Sequence, residues 1–156
     1  MKYVFDTSPF SVLFKNFYRK QFPTLWERFD ELVEQGLIVS TREVAREIQD
    51  CPIENLREWA REHENLFTTP TAAEAAVVSR IFAVRHFQQN IERQKLYKGG
   101  KCADPFVVAR AVVESAAVVT MESLRPNSAK IPNICERFEV SWFTLQSFME
   151  REQWEF

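Results

Sequence analysis

Apolar residues along this chain follow two alternating patterns. Short continuous runs, typical of buried strands, occur at residues 2–5, 37–39, 67–69, 117–120 and 140–144. Between them lie longer segments in which apolar residues recur every three or four positions, the spacing of an amphipathic helix. Strands that alternate with helices predict an α/β fold, with one domain over residues 1–156 and a mainly parallel sheet covered by helices on both faces.

Capping signals give the expected helix boundaries. Thr7 or Ser8 can cap the first helix, with Pro9 at its first position. Thr24 and Glu27 have the spacing of a capping box and predict the start of the second helix. Gly36 is expected to end the second helix, and the next helix is expected to start at Ser40. Helical spacing predicts helices over 54–63 and 72–95, with a break at Gly99-Gly100. A further helix is expected to start at Asp104-Pro105, followed by a short helix at 132–138 and a terminal helix after 144.

The composition is that of a single folded domain. At 156 residues, with 46% hydrophobic residues, 14 Phe and 4 Trp, the chain can bury a substantial core. No stretch reaches the roughly 20 apolar residues of a membrane span, and the N-terminus lacks a signal-peptide pattern. These features predict a cytoplasmic protein that has no membrane partner.

Aromatic residues and cysteines are interpreted mainly as packing residues. Aromatic residues at helical spacing are predicted to pack in the core: Phe10, Phe14, Phe17, Trp26 and Phe29. Trp142 and Trp154 are candidate contacts to a partner or to a second copy in a homodimer. The cysteines are odd in number and far apart, which argues against a disulfide framework and a zinc site: Cys51, Cys102 and Cys135. Nothing places a base beside Cys102, so a catalytic thiol is not expected.

The net charge of −2 gives no global attraction to nucleic acid, but basic residues concentrate in one segment. Residues 80–101 contain six Lys and Arg residues against the single acid Glu92. A local basic stretch can steer a polyanion, although a solvated helix face explains it equally well. The candidate RNA-binding residues in this segment are Arg85, Arg93, Lys95, Lys98 and Lys101.

Acidic residues stand at or near the carboxyl ends of predicted strands, where ligands of parallel α/β sheets gather. Asp6 ends the first strand, Asp104 begins a helix after a glycine-rich loop, and Glu122 lies two residues past Thr120. A fourth acid, Glu47, lies on the helix after the second strand. Carboxylates that meet repel one another unless a cation lies between them, and oxygen ligands without His or Cys favour Mg²⁺ or Mn²⁺.

Each acid also has a structural interpretation. Asp104 before Pro105 can cap a helix, Asp6 can form a turn or cap, and Glu122 can be a surface loop residue. Glu43 competes with Glu47 because they lie one helical turn apart on the same face. Ser40 and Glu43 have capping-box spacing, so Glu43 has a local role and Glu47 is the preferred site residue.

In these acidic motifs the chain resembles PIN domains and, more closely, a bacterial branch of the VapC-like toxins in which the fourth motif reads Thr-x-Glu. The similarity extends over nearly the whole chain, in the expected order. The matching segments are YVFDTS at residues 3–8, STREVAREI at 40–48, ADPFVVARA at 103–111, VVTME at 118–122 and IPNICERF at 131–138.

This resemblance implies a three-layer α/β/α sandwich with a central, mainly parallel sheet of about five strands. It implies endonucleolytic cleavage of RNA with one or two Mg²⁺ or Mn²⁺ ions, and an antitoxin partner that blocks the acidic pocket. In the family pattern the acidic quartet would be Asp6, Glu47, Asp104 and Glu122, with Ser8 and Thr120 as polar helpers. The fourth acid of the family is usually Asp; here it is Glu122, whose extra methylene lengthens its reach.

Other functions are less consistent with these residues. A PIN fold that has lost cleavage and acts as an interaction protein is the main alternative, although the intact quartet argues against it. A haloacid-dehalogenase-type phosphatase needs a second Asp two residues after Asp6, where this chain has Ser8. A dinucleotide enzyme is disfavoured because no GxGxxG motif follows any predicted strand.

Overall fold

The computed structural model describes residues 1–97 and 102–156. Within these residues, five strands form one parallel sheet in the order β3-β2-β1-β4-β5. The strands are β1 (Tyr3–Phe5), β2 (Ile38–Thr41), β3 (Phe67–Thr68), β4 (Ala117–Val119) and β5 (Trp142–Phe143). The predicted α/β/α architecture with a central parallel sheet is therefore confirmed.

Helices connect and cover the strands. They are α1 (Thr7–Asn16), α2 (Pro23–Glu34), α3 (Arg42–Gln49), α4 (Glu54–Glu62), α5 (Ala72–Ala83), α6 (Arg85–Tyr97), α7 (Asp104–Glu114), α8 (Ile131–Arg137) and α9 (Leu145–Arg151). A turn of 3₁₀ helix, Glu64–Leu66, precedes β3. Within the described part of the chain, no helix is long and apolar enough to cross a membrane.

Several predicted helix boundaries were wrong. The second helix begins at Pro23, with Phe22 as its N-cap and no side-chain cap, so Thr24 and Glu27 form no capping box. The helix predicted over 72–95 is two helices, interrupted at Val84, whose backbone is extended. Pro9 is the third residue of α1 and not the first, because Asp6 occupies the N-cap position. The glycine pair at 99 and 100 lies outside the described residues.

The predicted aromatic core is confirmed on one side of the sheet. Phe10, Phe14, Trp26 and Phe29 are buried. The Trp59 ring lies 5.5 Å from that of Phe10 and 5.2 Å from that of Phe14, and Trp26 packs against Phe14 and Phe29. Phe17, also predicted to be in the core, is half-buried against the core cluster. The cluster fixes α1 and α2 over β1, so the position of Asp6 depends on this packing.

A buried arginine fixes the helix that carries Asp104. Arg110 of α7 is only 7% exposed, and its guanidinium donates hydrogen bonds to the carbonyl oxygens of Ser40 and Leu66 and to the Glu114 carboxylate. These bonds connect α7 to the end of β2 and to the residue before β3. They therefore hold α7 against two neighbouring strands of the sheet.

Candidate functional site

The sheet changes winding direction at its central strand. Chain order runs outward from β1 through β2 to β3 on one side, and through β4 to β5 on the other. Crevices at such points, outside the carboxyl ends of the strands, are the usual ligand sites of parallel sheets. Asp6 directly follows β1 and Thr120 directly follows β4, so both lie at this crevice.

All four predicted acids line a single pocket of about 590 Å³ at this crevice. Asp6, Glu47, Asp104 and Glu122 come from the ends of two strands and from two helices that are distant in sequence. The rest of the lining is mostly one face of α1: Thr7, Ser8, Ser11, Val12, Lys15, Asn16 and, from the loop after β4, Met121. The fold thus brings the quartet to one surface depression.

Asp6 is a buried acid whose ionisation is disfavoured. Asp6 is only 5% exposed, and its carboxylate accepts hydrogen bonds at Oδ2 from Thr120 Oγ1 (3.1 Å) and Ser8 Oγ (3.4 Å). The pKa of Asp6 is raised from 3.8 to about 6, mainly by burial and also by the charges of Glu122 and Glu47, while hydrogen bonds from the Thr7 backbone and Thr120 oppose these effects. Repulsion by the nearby carboxylates therefore adds to the larger effect of burial.

The predicted helpers Ser8 and Thr120 connect Asp6 to the loop after β4. Ser8 Oγ accepts a hydrogen bond from the Met121 N–H at 3.2 Å, and Thr120 Oγ1 accepts one from the Glu122 N–H, also at 3.2 Å. Each hydroxyl therefore donates to Asp6 while accepting from the backbone that carries Glu122. They orient the two acids relative to each other.

Glu47 bridges two helix starts. Its Oε1 accepts a hydrogen bond from Thr7 Oγ1 at 2.9 Å, and its Oε2 accepts one from the Ala103 N–H at 3.0 Å. Thr7 begins α1, and Ala103 is the N-cap of α7. Glu47 therefore holds together the start of α1, which follows Asp6, and the start of α7, which contains Asp104.

Asp104 and Glu122 occupy different environments. Asp104 is 2% exposed and is the first residue of α7. Its expected role as the N-cap of this helix was wrong, because Ala103 occupies that position. Glu122 is partly exposed, and its Oε2 accepts a hydrogen bond from the Ile131 N–H, the first of α8, at 2.7 Å. Glu122 thus stabilises the start of α8 across the intervening loop.

Glu43 does not line the acidic pocket, and its expected capping role was wrong. The N-cap of α3 is Thr41, whose hydroxyl accepts from the Val44 N–H at 3.3 Å. Ser40, the expected cap, instead donates its hydroxyl to the Phe5 carbonyl. Glu43 is buried and pairs with the Arg42 Nε at 3.0 Å.

The predicted RNA-binding residues lie on α6 or outside the described residues. Arg85 and Arg93 are exposed, while Lys95 is 3.8 Å from Glu92 and its ammonium lies 5.4 Å from the centre of the Phe82 ring. Arg85 and Lys95 are roughly 15 Å apart along the axis of α6. Lys98 and Lys101 fall outside the described residues.

The end of α6 lies close to the acidic pocket. Cys102 is buried, and its Sγ lies 3.4 Å from Gln94 Oε1 of α6. The next residue, Ala103, contacts Glu47. Lys95 therefore belongs to the end of α6 nearer the pocket, and Arg85 to the far end.

The donor set fits a hard divalent cation in chemistry but is loosely spaced. Carboxylates and hydroxyls are the oxygen ligands that Mg²⁺ and Mn²⁺ accept, and their hydrogen bonds do not exclude coordination because each oxygen has a second lone pair. Within residues 1–97 and 102–156, however, no three Asp, Glu, His or Cys side chains are close enough together to hold a metal ion. The acids share a pocket without forming a compact ligand set.

The wall of the pocket formed by α1 was missed from the sequence, although a signal for it exists. Polar residues at positions 7, 8, 11, 15 and 16 share one helical face, opposite the buried residues Phe10, Leu13 and Phe14. A polar face is normally solvent-exposed. Only the position of α1 beside the ends of β1 and β4 makes it part of a pocket.

The fold and pocket define a PIN-like α/β/α protein with an acidic crevice. A chain of the crystal structure of VapBC2 from Rickettsia felis, bound to a DNA fragment from their promoter, matches with a TM-score of 0.50 and 13% identity, over 92% of this chain and 98% of that chain. Identity this low shows the fold alone. Among curated proteins, none matches the chain. The model of the family described as "Domain of unknown function (DUF4411)" matches residues 3–156, and the chain belongs to that family.

Proposed function

We propose that this protein is a Mg²⁺- or Mn²⁺-dependent endoribonuclease of the PIN class. The observation that carries the proposal is the single pocket at the carboxyl edge of a PIN-like sheet that Asp6, Glu47, Asp104 and Glu122 line together. The raised pKa of Asp6 supports it, because burial and the charges of Glu122 and Glu47 disfavour the ionised carboxylate, and a bound cation would offset both effects. The substrate is RNA.

Each acid has a proposed role. Asp6, Glu47 and Asp104 would hold the first ion, and Glu122 would help with a second ion or orient the attacking water. A bound divalent ion supplies a Lewis acid for the phosphodiester and lowers the pKa of water. The hydroxyls of Ser8 and Thr120 keep the Asp6 carboxylate oriented, and Glu47 keeps the start of α7 beside it.

The toxin assignment extends the proposal to a partner. The structural match is to a chain from a VapBC2 complex, and the motif Thr120-Met121-Glu122 has the Thr-x-Glu form of the VapC-like branch described above. We infer that a cognate antitoxin binds this protein and blocks the pocket, and that the pair acts in the cytoplasm. A small antitoxin gene beside this one, and a stable complex on co-expression, are the expected observations.

Cleavage assays test the enzymatic assignment. We expect the purified protein to cleave structured RNA when Mg²⁺ or Mn²⁺ is titrated in, and Asp6→Asn to lose at least about a hundredfold in rate, since it removes a buried carboxylate from the site. Glu27→Gln, an exposed acid on α2, serves as the matched control and should cleave like the wild type. Equal cleavage by wild type and Asp6→Asn would contradict the proposal.

A second candidate function is an interaction protein that has lost cleavage. The observation that favours it is the spacing of the acids: within the described residues, no three Asp, Glu, His or Cys side chains lie close enough together to hold a metal ion. Titration calorimetry with Mn²⁺ distinguishes the two. Heat of binding in the wild type that disappears in Asp6→Asn supports the nuclease, and no binding by the wild type supports the interaction protein.

A further inference from the structure

One wall of the acidic pocket is a single face of α1. The pocket-lining residues of this helix recur at helical spacing: Thr7, Ser8, Ser11, Val12, Lys15 and Asn16. They extend along roughly 14 Å of the helix axis. The opposite face carries Phe10, Leu13 and Phe14, which are buried in the core. We call this partly exposed face the α1 wall; it runs continuously from the acids to the end of the helix.

The charge changes along the α1 wall. One end adjoins the four carboxylates, and the other carries Lys15, the one cation among the described residues that line the pocket. Lys15 is exposed, and no ion pair between described residues includes it. Because side chains lean toward the N-terminus of their helix, the stem of Lys15 extends from the last turn back toward the acids.

A polyanionic substrate needs a cationic contact close to such an acidic pocket. Four carboxylates repel the phosphates on either side of the one that reacts, and a metal ion neutralises only its own surroundings. Lys95 of α6 is less available, because Glu92 and the Phe82 ring already contact it. Lys15 has the required charge, exposure and position.

Lys15 also has an ordinary structural role. A lysine in the last turn interacts favourably with the negative end of the helix dipole. That role affects folding stability and does not involve RNA, whereas a phosphate contact affects RNA affinity and its dependence on salt. The two roles can therefore be measured separately.

We propose that Lys15 binds a backbone phosphate of the RNA substrate adjacent to the one that reacts, so that the RNA strand lies along the α1 wall. This inference rests on the proposed nuclease function and specifies how that site holds its substrate. The contact is to the backbone, so it positions the strand without reading its sequence.

Lys15→Gln, Lys15→Arg and Lys20→Gln test this assignment. Lys20 is an exposed lysine just beyond α1 that does not line the pocket, so its variant makes the same change in net charge elsewhere. Two measurements apply: KM and kcat for RNA cleavage with Mg²⁺, and fluorescence anisotropy of a labelled single-stranded RNA with Ca²⁺ over a range of KCl concentrations. Thermal unfolding of each variant reports the structural role.

Lys15→Gln should raise KM and the dissociation constant about fivefold and leave kcat nearly unchanged. The slope of log affinity against log salt should fall by about 0.7, the value for one phosphate contact on a single strand. Lys15→Arg should keep most of the wild-type RNA affinity and salt slope, and Lys20→Gln should match the wild type in both.

Two different failures are distinguishable. A wild-type protein that neither cleaves nor binds RNA overturns the proposed function together with this assignment. If the wild type is active but Lys15→Gln keeps the wild-type KM and salt slope, only the role of Lys15 is overturned. The same conclusion follows if Lys20→Gln changes KM and the salt slope as much as Lys15→Gln does. Lost thermal stability in Lys15→Gln with unchanged RNA affinity would assign Lys15 to the helix dipole alone.

Discussion

At the scale of single residues, Asp6 shows the energetic cost of the acidic pocket. Its folded-state pKa of about 6 lies above the ordinary value of 3.8, because burial and the charges of Glu122 and Glu47 disfavour ionisation. The folded protein therefore binds more protons than the unfolded chain between these values. The free energy of unfolding should fall as pH rises from about 4 to about 6, by about 3 kcal/mol, and then level off.

The Asp6→Asn variant isolates this effect. Without divalent ions, it should be more stable than the wild type at neutral pH by up to about 3 kcal/mol, and the difference should vanish near pH 4. Urea unfolding in EDTA at a series of pH values measures the difference, with Glu27→Gln as an exposed-acid control. A difference that stays constant across this range would mean that Asp6 ionises normally in the folded protein.

The same residue scale shows what the sequence could and could not predict of the site. Strand ends place Asp6 and Glu122 at the same edge of any parallel sheet, and both line the pocket. Helical spacing could not separate Glu43 from Glu47, because both share a face. Their different surroundings depend on contacts with Thr7 and Ala103, which only the folded chain brings to Glu47. The ligand roles of these acids stay predictions.

At the scale of elements, the interruption at Val84 becomes visible only in which residues are buried. In one continuous helix, residues 77, 81, 84 and 88 would share a face. The buried residues are instead Val77 and Ile81 in α5, followed by Phe87 and Ile91 in α6, so the apolar stripe changes phase between the helices. The segment contains neither glycine nor proline there, and helical spacing alone favoured a single helix.

The loop between β4 and α8 depends on one side chain of the site. Glu122 accepts from the Ile131 N–H, so it acts as a cap for a helix that has no side-chain cap at Lys130. We expect Glu122→Ala to lower the free energy of unfolding by about 1–2 kcal/mol, whereas Glu122→Gln keeps an acceptor and loses less. Urea denaturation near pH 4 compares them, since ionisation of Asp6 contributes little there.

The charge of Glu122 has a separate effect from its cap. Both Glu122→Gln and Glu122→Ala remove a negative charge near Asp6, so both should lower the pKa of Asp6 and reduce the stability lost between pH 4 and 6. A difference in the free energy of unfolding between the two variants measures the contribution of the cap. A change in pH dependence that both variants share measures the effect of the charge. Equal stability of the variants at pH 4 would show that the Ile131 N–H finds another acceptor.

At the scale of the whole molecule, the sheet order brings distant segments into one site. Asp6 and Thr120 follow adjacent strands although 114 positions separate them in the chain, and they meet in a hydrogen bond. Alternating strands and helices predicted the parallel sheet, and right-handed crossovers are its usual connections. The strand order was not predictable from the same pattern, because apolar runs of similar length do not identify their neighbours.

Arg110 tests how far the site depends on the whole fold. Arg110→Met keeps much of the buried stem but leaves the Ser40 and Leu66 carbonyls without their donor, and we expect it to lower the free energy of unfolding by about 3–5 kcal/mol. Arg61→Met, which removes one exposed hydrogen bond to Gln49, should cost under about 0.5 kcal/mol. Urea unfolding measures both. Similar losses in the two variants would mean that the buried guanidinium is not what holds α7 against the sheet, and that hydrophobic packing alone positions Asp104.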